Sequence, residues 1–441
     1  MPMSSAQQAV RVAVLGAGNV GGALCRMLLA DADGIHSRAG VRLELVGVAV
    51  AHPSLPRPGI PSALLTGDAK SLATDPSVDV VVELIGGTDM ARVAIESALE
   101  AGKPVVTGNK ELIAVAGPEL TGAAARSGVD LLYEAAVAGA IPLVRALRES
   151  LAGESIRRVM GIVNGTTNFI LTTMAEEAIA YEDALSEAQR LGLAERDPTA
   201  DVEGFDAAAK VAILAGLAFG CDFPPENVHR EGIVGLRGVD VAFAERLGYV
   251  VKLLAVAERT DDEDSGSPPE VSVRVHPALV PNAHPLAAVR GAFNAVFVEG
   301  AACGELMLYG RGAGGTPTAS AVLGDLIDAA SRLRSGGSSR AVPRRSVRSR
   351  PMEDLRCAWY LNMDVVDLPG VLGAVATVFG QNGVSIRSME QVGLGDEARL
   401  IFLTHVAREG DVRTTLKGLA QLEMVEHVGG VLRVVDGEDE A

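Results

Sequence analysis

Short apolar runs alternate with helical patterns along the first 150 residues of the chain. Such near-continuous β-branched runs are typical of a parallel sheet that is covered on both faces, and the intervening helices supply the crossovers. The pattern therefore predicts a doubly wound α/β domain. The predicted strands span 12–16, 43–50, 79–86, 103–108 and 129–133, and the predicted helices lie near 20–30, 89–101 and 118–127.

The pattern changes after residue 142, where longer helical segments are separated from groups of strands. Segregated helices and strands are typical of an α+β domain. One more apolar-faced helix over 316–333 follows, and we expect it to return to the first domain. The other predicted helices span 166–179, 182–191, 204–219 and 241–257, and the predicted strands lie near 155–163, 270–276, 294–299 and 304–309.

Residues 331–350 contain seven arginines and no acidic residue around an SGGSS stretch. Such a segment buries too little apolar surface to order itself, so we expect a solvated linker; the alternative is an anion-binding or subunit-docking role. Strand, helix, two strands, helix and strand then follow within 355–435, which predicts a compact βαββαβ unit. The predicted domains are 1–141, 142–333 and 355–441, with a linker over 334–354.

Composition and charge limit the possible functions. Of the 441 residues, 48% are apolar and 22% are charged, which are globular proportions. The 56 acidic residues outnumber the 39 basic ones, so nucleic acid and anionic membranes are not expected as partners. The four cysteines form no CxxC pair, which predicts neither a disulfide framework nor a zinc site. Because no apolar run approaches the ~18 residues of a membrane span, we expect a cytoplasmic protein.

A glycine motif follows the first predicted strand directly and opens a helix. It reads Gly16, Gly18 and Gly21, with Asn19 and Val20 between the last two glycines. The first glycine allows a tight turn, the second lets the backbone approach a pyrophosphate, and the third packs the helix on the strand. Strand, motif and helix together predict a Rossmann-type dinucleotide site, although a glycine-rich turn without a ligand is the alternative.

The end of the second predicted strand bears on cofactor choice. A site selective for NAD usually places Asp or Glu there against the ribose hydroxyls, but this chain reads Ala49-Val50-Ala51-His52. Arg57 lies a few residues on, and it is either a partner for a 2′-phosphate or a solvated loop residue. The site therefore favours NADP, with NAD possible.

Polar residues also follow the third and fourth predicted strands. Gly87 and Thr88 come after the third, and Asn109 and Lys110 come after the fourth. Residues at the carboxyl ends of parallel strands line the ligand crevice of such sheets. We therefore expect these residues to contact a ligand. The alternative for Lys110 is an ordinary surface lysine at the start of a helix.

The sharpest chemical signal is a cluster of acids that ends in a lysine: Glu195, Asp201, Asp206 and Lys210. Asp206 and Lys210 are four residues apart, so their side chains meet on one helical face. An ordinary surface salt bridge is the alternative, but the helix over 204–219 is apolar almost all round and should be buried. A buried charge pair is costly, which favours a functional role. A divalent metal is not favoured because a lysine belongs to the cluster.

Seven segments in this order and spacing resemble homoserine dehydrogenase, and the carboxyl-terminal unit, with DLPGVLG at its first turn, resembles an ACT regulatory domain. This resemblance implies NAD(P)H-dependent interconversion of L-aspartate 4-semialdehyde and L-homoserine in threonine, methionine and isoleucine biosynthesis. The segments are GAGNVGGAL, VVELIGG, GKPVVTGNKELIA, YEAAVAGAIPLV, GIVNGTTNFIL, the stretch over 195–210, and GRGAGGTPTASAV.

The resemblance also implies roles for the charged residues. Lys210 is implied as the proton donor to the aldehyde oxygen, and Lys110 is implied beside substrate and nicotinamide. Glu195 and Asp206 are implied to hold the amino group of the substrate, and Asp201 adds a further opposite charge. A cationic proton donor suits the reaction because negative charge develops on oxygen as hydride arrives.

Further ligand sites follow from the resemblance alone. Many relatives carry a basic residue where this chain has Ala51, which bears on the preference for NADP. Gly192 and Gly314 match cofactor-contacting glycines, and a monovalent-cation site, expected to take Na⁺ largely on backbone carbonyls, is implied at Glu134, Val137, Gly139 and Ile141. The central domain is implied to dimerise, so we expect a homodimer or homotetramer.

Two other functions remain open on the sequence. One is a different NAD(P)-dependent dehydrogenase of amino acids or semialdehydes, and the other is a cofactor-sensing regulator without turnover. Because the glycine motif begins at Gly16, we expect no kinase-like domain ahead of it. Threonine is the expected allosteric ligand of the carboxyl-terminal domain, at the turn from Asp367 to Gly370 where free N–H groups open a helix.

Overall fold

A parallel sheet forms the amino-terminal part of the computed structural model, which describes residues 9–260, 269–337, 347–393 and 397–435. Its strands run in the order β3-β2-β1-β4-β5-β6. They are β1 (Val10–Leu15), β2 (Leu43–Ala49), β3 (Leu65–Thr66), β4 (Val80–Glu83), β5 (Val105–Thr107) and β6 (Leu131–Leu132), and the helices are α1 (Asn19–Ala30), α2 (Ala32–Ala39), α3 (Ala69–Thr74), α4 (Asp89–Glu100) and α5 (Lys110–Ser127). The order reverses between β1 and β4, which is where doubly wound sheets bind ligands. The predicted fold class is confirmed.

Helix α5 begins earlier than the predicted 118–127. Asn109 caps it by accepting a hydrogen bond from the Leu112 amide at 3.1 Å, and Pro118 then lies inside the helix. The cap thus places Lys110 in the first turn, at the carboxyl edge of the sheet. The short elements α2, α3 and β3 were not predicted.

The central domain is built on a second, mixed sheet. Its strands are β7 (Ile156–Ile162), β8 (His229–Arg230), β9 (Tyr249–Thr260), β10 (Glu270–Pro281), β11 (Phe293–Gly300) and β12 (Gly304–Arg311). Its helices are α6 (Leu143–Arg145), α7 (Gly165–Glu177), α8 (Tyr181–Arg190), α9 (Thr199–Val202), α10 (Phe205–Phe219), α11 (Gly238–Arg246) and α12 (Gly315–Ser335). Strands β12, β11, β7, β9 and β10 are neighbours in that order.

The predicted helix over 241–257 is wrong in its second half. Helix α11 ends at Arg246, and the apolar run that follows forms β9, which pairs antiparallel with β10 from Tyr249↔Pro281 to Thr260↔Glu270. An apolar run of this kind suits a buried helix and a buried strand equally well. The pairing with β10, which the run does not encode locally, decides in favour of a strand.

Helix α12 returns to the first domain. Its buried residues Val322, Leu326 and Ala329 belong to the same apolar cluster as β1 and α1. A Cβ atom at Gly315 would lie 2.9 Å from the carbonyl oxygen of Asn19, so the start of α12 lies against the glycine motif.

The carboxyl-terminal unit has the predicted βαββαβ order. After β13 (Arg348–Ser349) come β14 (Arg356–Val366), α13 (Val371–Gln381), β15 (Ile386–Gly393), β16 (Glu397–Thr404), β17 (Ala407–Arg408), α14 (Glu409–Leu419) and β18 (Val425–Val434). Strand β18 pairs with β10 at Ala278↔Arg433 and Leu279↔Val434, so the two sheets are continuous. Residues 338–346 of the predicted linker lie outside the described residues.

A buried ion-pair cluster lies at this junction. The guanidinium of Arg433 donates to both carboxylate oxygens of Glu231, each at 2.8 Å, and to Glu409 at 2.9 Å. The side chains of Arg433 and Glu409 are 5% and 0% exposed. The carboxyl-terminal unit is therefore joined to the central domain by backbone pairing and by buried charge.

Candidate active site

The glycine motif forms a cradle with one open face. Gly16 has φ +98°, and a Cβ atom there would lie 2.3 Å from the carbonyl oxygen of Leu84. At Gly21 a Cβ atom would lie 1.9 Å from the carbonyl oxygen of Gly16. At Gly18, by contrast, no described atom lies within 4 Å of that position. Packing thus requires glycine at Gly16 and Gly21. Gly18 instead leaves room for a ligand at the amino end of α1, as a pyrophosphate requires.

An open cleft of about 490 Å³ runs from this cradle. Gly18, Asn19, Arg57 and Thr316 are among its lining residues. Arg57 lies 3.4 Å from the carbonyl oxygen of Ala17, and its Nε is buried with no hydrogen-bond partner among the described residues. The arginine singled out in the sequence therefore lies in the cleft that a dinucleotide would occupy.

A second cleft of about 270 Å³ lies beyond the carboxyl ends of β4 and β5. Gly87, Lys110, Gly139 and Lys210 are among its lining residues. The structure thus brings both predicted lysines to the ligand-facing edge of the first sheet. Thr88 lies at the start of α4, beside this turn.

Glu83 holds the glycine turn at this cleft. Its carboxylate is fully buried and accepts hydrogen bonds from the amide of Ile85 at 2.7 Å and from the hydroxyl of Thr107 at 2.6 Å. Asn109 donates from Nδ2 to the carbonyl oxygen of Gly87 at 2.7 Å. Glu83 was not predicted as a site residue; the available signal was a single acid at the end of an otherwise apolar strand.

Lys110, Asp206 and Lys210 form a compact charge cluster. Lys210 Nζ lies 2.7 Å from Asp206 Oδ2 and donates to the carbonyl oxygen of Val163 at 2.8 Å. Lys110 Nζ contacts the other oxygen of Asp206. Asp206 and Lys210 are 6% and 9% exposed, so the predicted pair is buried rather than an ordinary surface salt bridge.

The cluster shifts the acidity of its members. Burial alone would raise the pKa of Asp206, but the charges of Lys210 and Lys110 outweigh it and lower that pKa well below the usual range. Burial acts against the charged form of Lys110, and the charge of Asp206 reverses the effect, so the pKa of Lys110 is raised. The ionised form of Asp206 is therefore favoured by its position between two lysines.

Asn164 joins Asp201 to this cluster. Its Nδ2 lies 2.7 Å from Asp201 Oδ1 and 2.9 Å from Asp206 Oδ2. The sequence predicted Asp201 but not Asn164, although Asn164 lies within the NGTTN stretch of a segment that carried the family resemblance.

The remaining predicted residues lie around the clefts. Glu195 is exposed in the turn between α8 and α9, and the described contacts do not bring its side chain to the lysines. This turn is tied to the start of α7 by a 2.7 Å hydrogen bond from the Thr166 hydroxyl to the Leu193 carbonyl oxygen. Gly192 has φ +71° in the same turn, and Gly314 has φ +122° directly before α12.

At the implied cation site, the side chain of Glu134 is already engaged. Its carboxylate accepts hydrogen bonds from the amides of Val144 and Arg145, both at 2.8 Å. Burial raises the pKa of Glu134, and it raises the pKa of the neighbouring Asp325 to about 6. The resemblance implies that a cation there binds largely to backbone carbonyl oxygens, at Glu134, Val137, Gly139 and Ile141. Within the described residues, no group of three or more His, Cys, Asp or Glu side chains is placed to hold a metal.

Three family models match the chain in sequence. A model described as homoserine dehydrogenase, NAD binding domain, matches residues 16–134, one described as homoserine dehydrogenase matches 142–327, and an ACT domain model matches 359–423. The homoserine dehydrogenase of Corynebacterium glutamicum is 47% identical over 97% of this chain and 96% of that protein. That of Bacillus subtilis is 41% identical over 97% and 98%.

Solved structures give the same result. A homoserine dehydrogenase from Thiobacillus denitrificans has a TM-score of 0.88 and 40% identity, covering 97% of this chain and 99% of that one. A hyperthermophilic archaeal homoserine dehydrogenase in complex with NADPH has a TM-score of 0.61 and 28% identity, covering 73% and 98%. In sequence and in structure, the chain belongs to the homoserine dehydrogenase family of NAD(P)-dependent oxidoreductases.

Proposed function

We propose that this site reduces L-aspartate 4-semialdehyde to L-homoserine, and catalyses the reverse oxidation, with Lys210 as the proton donor to the aldehyde oxygen. The observation that carries the proposal is the pair of lysines on Asp206 in the second cleft, at the carboxyl ends of β4 and β5. A bound nicotinamide supplies the hydride to the carbonyl carbon.

The contacts of Lys210 define the direction of its proton. An ammonium group has three N–H donors, and Asp206 and the carbonyl oxygen of Val163 take two of them. The third is left for the cleft. A cation held there stabilises the alkoxide that forms as hydride arrives, and it then delivers the proton to oxygen.

Asp206 binds the two lysines rather than the substrate. Its two oxygens already receive Lys110, Lys210 and Asn164, which leaves little capacity for the substrate ammonium group. We assign the ammonium group to Asp201 and Glu195. Lys110, whose side chain is 38% exposed at the cleft, is assigned to the substrate carboxylate.

The experiment is an NADPH-consumption assay on the full chain. Lys210→Met should lower kcat by about 10²–10⁴-fold and leave the Kd for NADPH unchanged, because the lysine acts on the developing charge. Lys70→Met, an exposed lysine on α3, is the matched control and should keep wild-type kinetics. Near-wild-type turnover of Lys210→Met would disprove the assignment. The wild type assayed on glutamate 5-semialdehyde, one methylene longer, separates this activity from that of another semialdehyde dehydrogenase.

For the cofactor, we propose NADP, with NAD as a poorer alternative. Support comes from the absence of an acid after Val50 and from Arg57 in the cleft.

We also assign a monovalent cation, Na⁺, to the backbone around Val137 and Gly139. Replacing Na⁺ by tetramethylammonium at constant ionic strength should lower activity; unchanged activity would remove this assignment.

For regulation, we propose that threonine binds the carboxyl-terminal unit and lowers activity. Gly370 opens α13 with φ +96° and without a side-chain cap, so free N–H groups are available there to a carboxylate. An inhibitor must bind the less active state more tightly. Asp367→Ala should abolish threonine inhibition while keeping basal kcat; inhibition that persists unchanged would exclude this turn.

Two further properties complete the proposal. We assign a homodimer or homotetramer, to be checked by light scattering. We also assign a cytoplasmic location to the protein. Among the described residues, no helix combines the length and the apolar character of a membrane span.

A further inference from the structure

Asn164 occupies the two-residue link between β7 and α7, and its side-chain oxygen is fully used there. Oδ1 accepts hydrogen bonds from the amide of Thr167 at 2.9 Å and from the Thr167 hydroxyl at 3.0 Å. This is the arrangement of an N-cap, which satisfies a free amide in the first turn of the helix. The side chain is 5% exposed, so its orientation is set by these partners rather than by water.

With the oxygen held by the helix, the amide nitrogen faces two carboxylates. Nδ2 carries two protons, and Asp201 Oδ1 and Asp206 Oδ2 lie 2.7 and 2.9 Å away. The reverse orientation of the amide would place an oxygen against both anions and abolish the cap. One neutral side chain therefore holds two like charges side by side.

The same link also contacts the proposed acid. The carbonyl oxygen of Val163 accepts from Lys210 at 2.8 Å, so two consecutive residues contact Lys210, Asp206 and Asp201. The link is anchored from behind by α7, where Asn168 donates to the carbonyl oxygen of Gly291 at 2.9 Å. The position of Asn164 is thus fixed independently of the charges it contacts.

We infer that Asn164 is a positioning residue for the reaction: its amide aims Asp206 at Lys210 and holds Asp201 toward the substrate ammonium group. The inference rests on the proposed function. Among the described residues, the amide contacts the charged side chains of Asp201 on α9 and Asp206 on α10. Asp206 in turn contacts Lys210 on α10 and Lys110 on α5.

Asn164→Asp separates positioning from capping. Aspartate is as good an N-cap as asparagine, so the helix start is kept. The donor to both carboxylates is replaced by a third negative charge, which favours the protonated form of the neighbouring lysines. We expect kcat for homoserine oxidation to fall about 10–100-fold and the homoserine KM to rise. The acid limb of the pH profile should move up by about one pH unit, with the Kd for NADP unchanged.

A second variant and a control complete the design. Asn164→Ser keeps a capping hydroxyl but removes the long donor, and we expect a raised homoserine KM with a smaller pH shift. Asp68→Asn makes the reverse exchange at the exposed N-cap of α3, where Asp68 accepts from the Ser71 amide at 2.9 Å, and it should leave kinetics unchanged.

The inference is overturned if folded Asn164→Asp keeps the wild-type homoserine KM and pH profile and changes only the melting temperature. If Asn164→Asp does not fold, the homoserine KM of Asn164→Ser is the test: a raised KM supports the inference, and a wild-type KM overturns it. A further readout requires no turnover: the pH dependence of acetylation at Lys110, whose side chain is 38% exposed and whose pKa Asp206 already raises, should move up in Asn164→Asp when measured by mass spectrometry. An unmoved acetylation profile refutes the inference, whereas a wild-type enzyme inactive on the semialdehyde refutes only the proposed function.

Discussion

Arg433 is the charged partner of two carboxylates on different parts of the molecule, and its replacement is the sharpest test of how the carboxyl-terminal unit is attached. Glu231 follows β8 in the central domain, while Glu409 opens α14. The guanidinium also lies 4.9 Å from the ring of Trp359. Arg433→Met keeps much of the apolar stem and removes the charge.

The expected loss of folding stability differs between Arg433→Met and Glu231→Gln. Removing Arg433 leaves Glu409, which is 0% exposed, with the half-exposed Arg413 as its remaining ion-pair partner among the described residues. Breaking a buried pair in this way costs about 3–5 kcal/mol. Glu231 has a side chain that is 35% exposed, and in Glu231→Gln the buried Arg433–Glu409 pair remains, so that variant should cost only about 1 kcal/mol.

Urea denaturation of the full chain, followed by circular dichroism, measures these differences. Arg408→Met is the matched control on the same unit: its ion pair with Asp354 is half-exposed and should be worth at most about 1 kcal/mol. Equal losses for Arg433→Met and Arg408→Met would refute the reasoning, because burial would then contribute nothing.

The pH dependence of Glu231 gives an independent check. Burial opposes its ionisation, but hydrogen bonds from His229 and Arg433 lower the pKa of Glu231 well below its usual value. A carboxyl with a depressed pKa stabilises the fold above its unfolded pKa, and this stability is lost as the pH falls below about 4.5. The difference between wild type and Glu231→Gln should therefore shrink on acidification; a constant difference would contradict the pairing.

Four further variants test the cofactor cleft and the core. Gly18→Ala should fold normally but raise the KM for NADPH at least tenfold in steady-state kinetics. Gly21→Ala should lower the melting temperature measured by calorimetry, because its Cβ atom would meet the backbone. The reverse pattern would contradict the geometry of the cradle. Arg57→Ala should raise the KM for NADPH and leave that for NADH unchanged, and an unaltered ratio in steady-state assays removes Arg57 from the 2′-phosphate site. Burial lowers the pKa of Lys252 from 10.5 to about 8, so the unfolded state binds the lysine proton more tightly than the folded state does. The free energy of unfolding should therefore rise by up to about 3 kcal/mol between pH 8 and pH 10.5. Urea titrations at graded pH should show no such rise in Lys252→Met.

Those parts of the site that depend on local sequence were predictable. The glycine motif needs only a strand before it and a helix after it, and Asp206 and Lys210 meet because they are one helical turn apart. Lys110 follows a strand whose carboxyl end faces the crevice. In each case the structure places the residue beside the expected cleft.

Residues whose roles arise from distant partners were not predictable. Asn164 has a capping role that its own helix explains, and only the fold brings Asp201 and Asp206 to its other end. Glu83 is one acid in an apolar strand until Thr107 is placed beside it. The same reason accounts for β9, whose strand conformation depends on β10, and for the pairing of β18 with the central sheet.

Strand β10 has an outer edge that three strands cover in turn, each over two residue pairs. Strand β13 pairs with it at Glu270 and Val271, β8 pairs with it at Arg274 and Val275, and β18 pairs with it at Ala278 and Leu279. An uncovered apolar edge of this length is a template for pairing with another chain. During synthesis, the part of the edge that β18 covers stays open until residue 434 has been made. The carboxyl-terminal unit thus covers the last part of a strand edge whose N–H and C=O groups would otherwise be open to pairing.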